Sequence, residues 1–276
     1  MPELPEVETI CRGIRPHILN RTILKIHHSG KRLRKDVPLE KLRTLLIGHR
    51  IVDVQRRAKF LLIHIENGTL MVIHLGMTGN LGLFTPETTP HKHCHLQFLL
   101  NDGMELRYTD VRRFGFIEIL DRRKATNIEN TLLKTTGPEP FSDIFNAAYL
   151  FKAAKGKSQP VKSFIMTNQI VAGVGNIYAN ESLFVAGINP KTPVGKISKG
   201  SWETLISNIR KVLSHAIECG GSTISDYVNA SQETGYFQIN FKVYGKDGDT
   251  CALCKSIIQK TVIGGRATFF CDKCQK

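Results

Sequence analysis

The chain has 276 residues, enough for one large or two modest domains, and 41% of them are hydrophobic, enough for a sizeable core. Thirty-eight Lys and Arg against 24 Asp and Glu leave a net charge of +14, which points to an anionic partner, nucleic acid first and a membrane surface second, over a basic surface serving solubility alone. An acidic start argues against a secretory signal, no apolar run is long enough to span a bilayer, and clustered cysteines argue against a disulfide framework, so the reading is a soluble protein of a reducing cytoplasm.

The opening MPELPEVETI supports two readings. Val7, Ile10, Cys11, Ile14 and Ile18 keep helical spacing, which predicts an amphipathic helix from about Pro5, kinked or closed early by Pro16. Glu6 and Glu8 then suit the positive end of the helix dipole. The second reading is chemical. Proline in second place permits removal of Met1, leaving a secondary amine with a pKa of about 8. Such an amine can attack an electrophilic carbon and form an iminium with a sugar aldehyde. Glu3 and Glu6 can supply acid and base for the proton transfers. On these residues alone the helix entry is the simpler account.

Strands dominate to about residue 120, with one helix near 38–47. Asn67-Gly68 and Asp102-Gly103, each between two apolar runs, predict tight hairpins, and FGFIEIL adds a further strand. From about 130 the period becomes helical. FSDIFNAAYLFKAA, VKSFIMTNQIVAG, NIYANESLFVAG and WETLISNIRKVLSHAIECGG each predict a helix, and the polar NASQETGYFQINF predicts a loop. Cys11, Cys94 and Cys219 stand alone in apolar surroundings, as small core residues do. The architecture expected is α+β: an N-terminal helix with a β-sandwich or barrel over 1–130, a helical domain over 131–240 and a metal module over 241–276.

That module has the most specific spacing in the chain. Cys251 and Cys254, then Cys271 and Cys274, form two Cys-x2-Cys pairs, the pattern of tetrahedral zinc. Gly264-Gly265 between them predicts a ribbon hairpin. All four positions are cysteine, so no place is left for water and the zinc is expected to be structural. Other motifs are weaker. His91, His93 and His95 in HKHCH would share one strand face, a pattern that more often marks polar packing than a metal site. GVGN at 173–176 suits either a helix–helix turn or a phosphate cradle at a helix start. HLGMTG offers Met77 and YTDVRRFGF offers Arg112 and Phe114, either as loop packing or as side chains that insert into a base stack.

In order, PELPEVE, RRAKF, HLGMTG, DVRRFG, GVGNIYANE and the finger containing GRATFFCDKCQ resemble the bacterial formamidopyrimidine-DNA glycosylase family over nearly the whole chain. The resemblance implies a bifunctional base-excision repair enzyme acting on double-stranded DNA. It would excise oxidised purines, chiefly 8-oxoguanine and formamidopyrimidines, then cut the strand by β- and δ-elimination. It implies Pro2 as nucleophile, Glu3 as principal acid and base, and Glu6 as a supporting carboxylate. Lys59 and Arg266 would complete the active site against phosphate near the lesion. Met77, Arg112 and Phe114 would fill the gap left by the flipped nucleotide, and Asn176, Lys162 and His93 would contact DNA. It also implies a β-sandwich rather than a barrel, a helix-two-turns-helix element, one structural Zn2+, no metal at HKHCH and a cytoplasmic, nucleoid-associated monomer. Ala58 in RRAKF and Val111 in DVRRFG stand where the family often has glycine and proline, and only local backbone adjustment is expected there. Two other classes compete. A non-catalytic zinc-ribbon DNA-binding protein explains the charge and the finger but not the Pro2-Glu3 start. An endonuclease VIII-type pyrimidine glycosylase generally begins PEGPE and lacks RRFG, whereas this chain has Leu4 and Arg112-Arg113-Phe114-Gly115.

Overall fold

The computed structural model describes residues 2–121, 132–222 and 241–276. NASQETGYFQINF lies outside them apart from Phe241. The chain divides into two compact units, Met1–Lys134 with Cys219–Tyr236 and Thr135–Glu218 with Phe237–Lys276.

The first unit opens with helix α1 (Leu4–Ile18), whose buried stripe is Leu4, Val7, Ile10, Cys11, Ile14 and Ile18. Pro16 does not end it. Proline forgoes only its own bond, to the Arg12 carbonyl, and sits in the last turn, where Leu19 N still donates to Arg15 O at 3.1 Å. Two antiparallel four-stranded sheets follow. One has the order β1 (Ile23–His28), β6 (Cys94–Leu100), β7 (Glu105–Asp110), β5 (Gly79–Phe84). The other has β2 (Ile51–Arg57), β3 (Phe60–Ile65), β4 (Thr69–His74), β8 (Phe116–Asp121). Helix α2 (Leu39–Leu46) lies between β1 and β2 in sequence.

Both glycine dipeptides form the expected turns. Gly68 N bonds Ile65 O and Gly103 N bonds Leu100 O, with both glycines at positive φ. One core joins α1, α2 and both sheets, including Ile26, Phe98 and Tyr108 from the first sheet and Leu61, Met71 and Ile117 from the second. Ala58 adopts φ +55° in the β2–β3 turn. The departure from glycine there is therefore not neutral in backbone terms, because a left-handed residue with a Cβ carries a penalty of about 1 kcal/mol.

The second unit contains α3 (Ala147–Ala154), α4 (Val161–Ile165), α5 (Asn176–Val185), α6 (Lys199–Glu218) and a hairpin of β9 (Gln259–Ile263) with β10 (Arg266–Phe270). Two helices are shorter than their patterns predict. Asn146 caps α3 through its side chain, accepting Tyr149 N at 3.0 Å, so 141–146 form turns. After α4, Ile170 N and Val171 N both turn back to Thr167 O, while Ala172 N bonds Pro138 O. The finger shares a core with α5: Phe184 packs with Val243, Cys251, Ile258, Phe269 and Cys271. Buried polar groups fix this docking. Glu181 accepts the backbone N–H groups of Lys242, Val243 and Tyr244, and Asn180 Oδ1 accepts Phe269 N at 2.9 Å. Among the described residues, no helix is long and apolar enough to cross a membrane.

Candidate active site and metal centre

Pro2 is buried at the foot of α1, beside Glu3 and Glu6, each 2% exposed. The helix entry explains why. Glu3 is the N-cap, and Glu6 Oε2 accepts Glu3 N at 2.7 Å, which turns the chain into the helix. Glu6 Oε1 accepts both Ser222 N at 2.9 Å and Ser222 Oγ at 2.8 Å. A Cβ on neighbouring Gly221 would stand 3.3 Å from Glu6 Cγ, and Gly221 has φ +83°. The two readings of PELPEVE are thus compatible: one carboxylate closes the helix entry, and the pair of acids stands beside Pro2.

Lys59 follows the left-handed Ala58 and is half-buried. Its charge bears on His74. That ring stacks on Phe116 with centroids 5.3 Å apart and accepts Gly76 N through Nδ1. Burial first, then the Lys59 and Arg34 charges, push the His74 pKa down to about 4. The ring is therefore neutral at pH 7. Sequence reasoning passed over His74, although HLGMTG contains it.

Met77 projects from the β4–β5 turn, and Arg112 and Phe114 from the β7–β8 loop. Phe114 is 44% exposed, and the Arg112 guanidinium lies 4.6 Å from its ring centroid. HKHCH does not put three histidines on one strand face, because β6 starts only at Cys94. His91 and His93 form a ring pair before it, with centroids 5.3 Å apart. His95 is buried, donating through Nε2 to Asp110 O and facing Ser29 Oγ through Nδ1. The backbone carbonyl can only accept, which fixes the tautomer. Cys11 and Cys94 are buried as expected, while Cys219 is only partly so.

In the second unit Asn176 begins α5, directly after the Gly175 N-cap, and its Nδ2 donates to Ala267 O at 3.1 Å. Arg266 is exposed next to that carbonyl, at the end of the Gly264-Gly265 turn. Lys162 differs from expectation. It is wholly buried, and Nζ donates to Ala267 O at 2.9 Å and Thr268 Oγ1 at 2.7 Å. A buried ammonium needs acceptors, and here the finger supplies them. Lys162 ties β10 to α4 and is not a surface contact for phosphate. Asn180 and Glu181, which also hold the finger, were missed. Their signal was a polar run, Asn180, Glu181 and Ser182, between apolar residues of α5.

The four finger cysteines place their Sγ atoms within 4.8 Å of one another, with Cys251–Cys274 at 3.9 Å and Cys254–Cys271 at 3.4 Å. A tetrahedral site with Zn–S bonds of about 2.3 Å has edges of about 3.8 Å. The donor set therefore fits one structural Zn2+, which would order the ribbon and offer no open position. It is the only such His, Cys or carboxylate group among the described residues.

Three family models match in sequence: the formamidopyrimidine-DNA glycosylase N-terminal domain over 1–117, its H2TH domain over 136–228, and a zinc finger found in FPG and IleRS over 248–276. The chain belongs to the formamidopyrimidine-DNA glycosylase family. A formamidopyrimidine-DNA glycosylase of Pseudomonas fluorescens is 47% identical over 276 residues, covering all of both chains. One from Legionella pneumophila is 44% identical over 275 residues, covering 100% of this chain and 98% of the relative. Among solved structures, Lactococcus lactis Fpg with an N7-benzyl-Fapy-dG-containing DNA has a TM-score of 0.90, 33% identity and full coverage of both chains. The same protein with an abasic-site-containing DNA has a TM-score of 0.90, 33% identity and 99% coverage of each.

Proposed function

We propose that the chain excises oxidised purines, formamidopyrimidines and 8-oxoguanine, from double-stranded DNA and then cuts the strand at the abasic site. The glycosylase and lyase activities are those of the family to which it belongs. The observation that carries the reading is the family match along the entire chain together with Pro2, Glu3 and Glu6 grouped at the foot of α1. The relatives' complexes with Fapy-dG and abasic DNA point to the same lesions here.

With Met1 removed, the Pro2 nitrogen lone pair attacks C1′ of the lesion nucleotide, and the C1′–base bond breaks. Glu3 donates a proton to O4′ as the C1′–O4′ bond breaks and the iminium forms, and it takes up and delivers protons as the eliminations proceed. Glu6, with both oxygens occupied by hydrogen bonds, is assigned to holding Glu3 and Pro2 in place. Lys59, Asn176, Arg266 and His93 are assigned to phosphate contacts, which position the strand without reading its sequence. Met77, Arg112 and Phe114 are assigned to the vacated space in the stack, which offsets the cost of extruding the nucleotide. The zinc supplies structure to the finger that carries Arg266. A monomer working in the cytoplasm on nucleoid DNA completes the proposal.

The test is incubation with duplexes containing Fapy-dG, 8-oxoguanine or an oxidised pyrimidine. Base release followed by β,δ-cleavage, fastest on the purine lesions, is expected. Preference for the pyrimidine lesion would move the chain to the endonuclease VIII type, and binding without excision would make it a DNA-binding protein only.

A further inference from the structure

The β4–β5 turn and the β7–β8 loop each cross from one sheet of the sandwich to the other, and their backbones meet. A Cβ on Gly76 would lie 2.4 Å from Gly115 N and 2.4 Å from Phe114 C, so the loops touch with no room for a side chain. One carboxylate joins them. Asp110, at the end of β7 and 0% exposed, accepts Thr78 Oγ1 at 2.5 Å through Oδ1, and Gly115 N at 2.8 Å and Tyr108 OH at 3.2 Å through Oδ2. Thr78 Oγ1 in turn accepts Arg112 N at 2.9 Å. The Asp110 carbonyl is held by His95 Nε2 at 2.9 Å. The residue after Met77 and the residue after Phe114 are therefore fixed by a single buried carboxylate, and the amide of Arg112 is fixed through Thr78.

We infer that Asp110 and Thr78 are positioning residues that present Met77, Arg112 and Phe114 as one stiff wedge instead of three independent loop side chains. This rests on the proposed assignment of those three residues to the vacated space. Hydrogen bonds to a buried carboxylate are stronger than neutral ones, and a group that must hold apart a base stack works only if its support is rigid. The Thr78 hydroxyl is the link through which both loops are coupled, because from the β4–β5 turn it donates to Asp110 at the end of β7 and accepts from Arg112 N in the β7–β8 loop.

The experiment compares Thr78→Val, which keeps the shape and removes the hydroxyl, with Thr78→Ser, which keeps the hydroxyl, and with Arg112→Ala. Thr78 is half-buried, so both changes leave the sandwich core untouched. Single-turnover excision is measured with the lesion opposite cytosine and opposite adenine. Borohydride cross-linking to single-stranded abasic DNA, which has no partner strand to wedge apart, is the second readout. Thr78→Val should cut the cytosine-over-adenine ratio about tenfold, within the worth of one good side-chain–base pairing, while cross-linking stays at wild-type level and Thr78→Ser behaves as wild type. A shifted ratio in Arg112→Ala with none in Thr78→Val overturns the positioning inference alone. No shift in Arg112→Ala overturns the wedge assignment and the inference with it. An equal loss of cross-linking in Thr78→Val makes Thr78 a general structural residue and also overturns the inference.

Discussion

Glu6 and Ser222 stand 216 residues apart in sequence, yet Glu6 Oε1 accepts both the amide and the hydroxyl of Ser222, at 2.9 and 2.8 Å. The other oxygen holds the Glu3 amide at 2.7 Å. Three donors thus converge on one carboxylate that is 2% exposed. Glu6→Gln replaces one acceptor oxygen with an NH2 group, which sets donor against donor at one end. A buried donor left without an acceptor costs about 1–3 kcal/mol. The urea midpoint of the variant should fall accordingly, and excision should slow because Pro2 and Glu3 lose their anchor. A wild-type midpoint would show that Glu6 is not needed to hold the N-terminus.

His74 gives a pH dependence whose sign follows from its environment. Its folded pKa, about 4, is below the value of about 6.5 for an exposed histidine. At pH 7 the folded ring is neutral and the unfolded one mostly so, and the contribution to pH dependence is small. Below pH 6.5 the unfolded chain takes up a proton that the folded ring refuses, so stability falls as pH drops towards 4. The loss between pH 6.5 and 5 should be about 1.5 kcal/mol from this group. His74→Asn should remove that part of the slope in urea titrations at the two pH values. An unchanged slope would place the proton elsewhere.

The finger tests the metal. Cys254→Ser or strong chelation should disorder the β9–β10 hairpin, because zinc binding supplies much of the folding energy of so small a module. Docking on Glu181 and Asn180 means that residues 242–244 and α5 should also gain hydrogen exchange, while the sandwich keeps its protection. DNA affinity should drop with the zinc content. Equal affinity in metal-free protein would contradict a role for the finger in binding.

Arg112 and Lys59 separate base reading from strand holding. Arg112→Ala should slow excision opposite cytosine much more than opposite adenine, by about 1–3 kcal/mol of discrimination, since guanidinium donors suit the acceptors of cytosine. Lys59→Ala should weaken activity equally opposite every base, because a phosphate contact carries no sequence information. Single-turnover rates opposite all four bases at one salt concentration decide it.

What could be seen in the sequence was whatever local chemistry dictates. Asn67-Gly68 and Asp102-Gly103 need little beyond their own backbone preferences to turn, and four cysteines at fixed spacing leave few alternatives to a metal. Short strands between such turns pointed to a sandwich or a barrel, and the resemblance to the family narrowed it to the sandwich. What remained hidden depends on partners far away in the chain. Lys162 looks like any surface lysine until Ala267 and Thr268 arrive beside it. Asn180 and Glu181 look like helix surface until residues 242–244 and Phe269 cover them. Asn146 is the local exception: its cap on Tyr149 N, three residues on, was readable, but the apolar pattern before it read as a continuation of the helix. Asp110 gave no signal at all, because its role depends on Thr78, 32 residues away, and on the fold of the loop that brings Gly115 N back to it.

The central claim is that the Pro2 amine is the nucleophile. Borohydride reduction during turnover on abasic DNA, followed by digestion and mass spectrometry, locates the linked residue. The account predicts a covalent adduct on Pro2 in protein lacking Met1, and none in protein that retains Met1 or carries an N-terminal tag, although that protein still binds DNA. An adduct on Lys59 or another lysine, or full strand cleavage by chain with an intact tag, would contradict it.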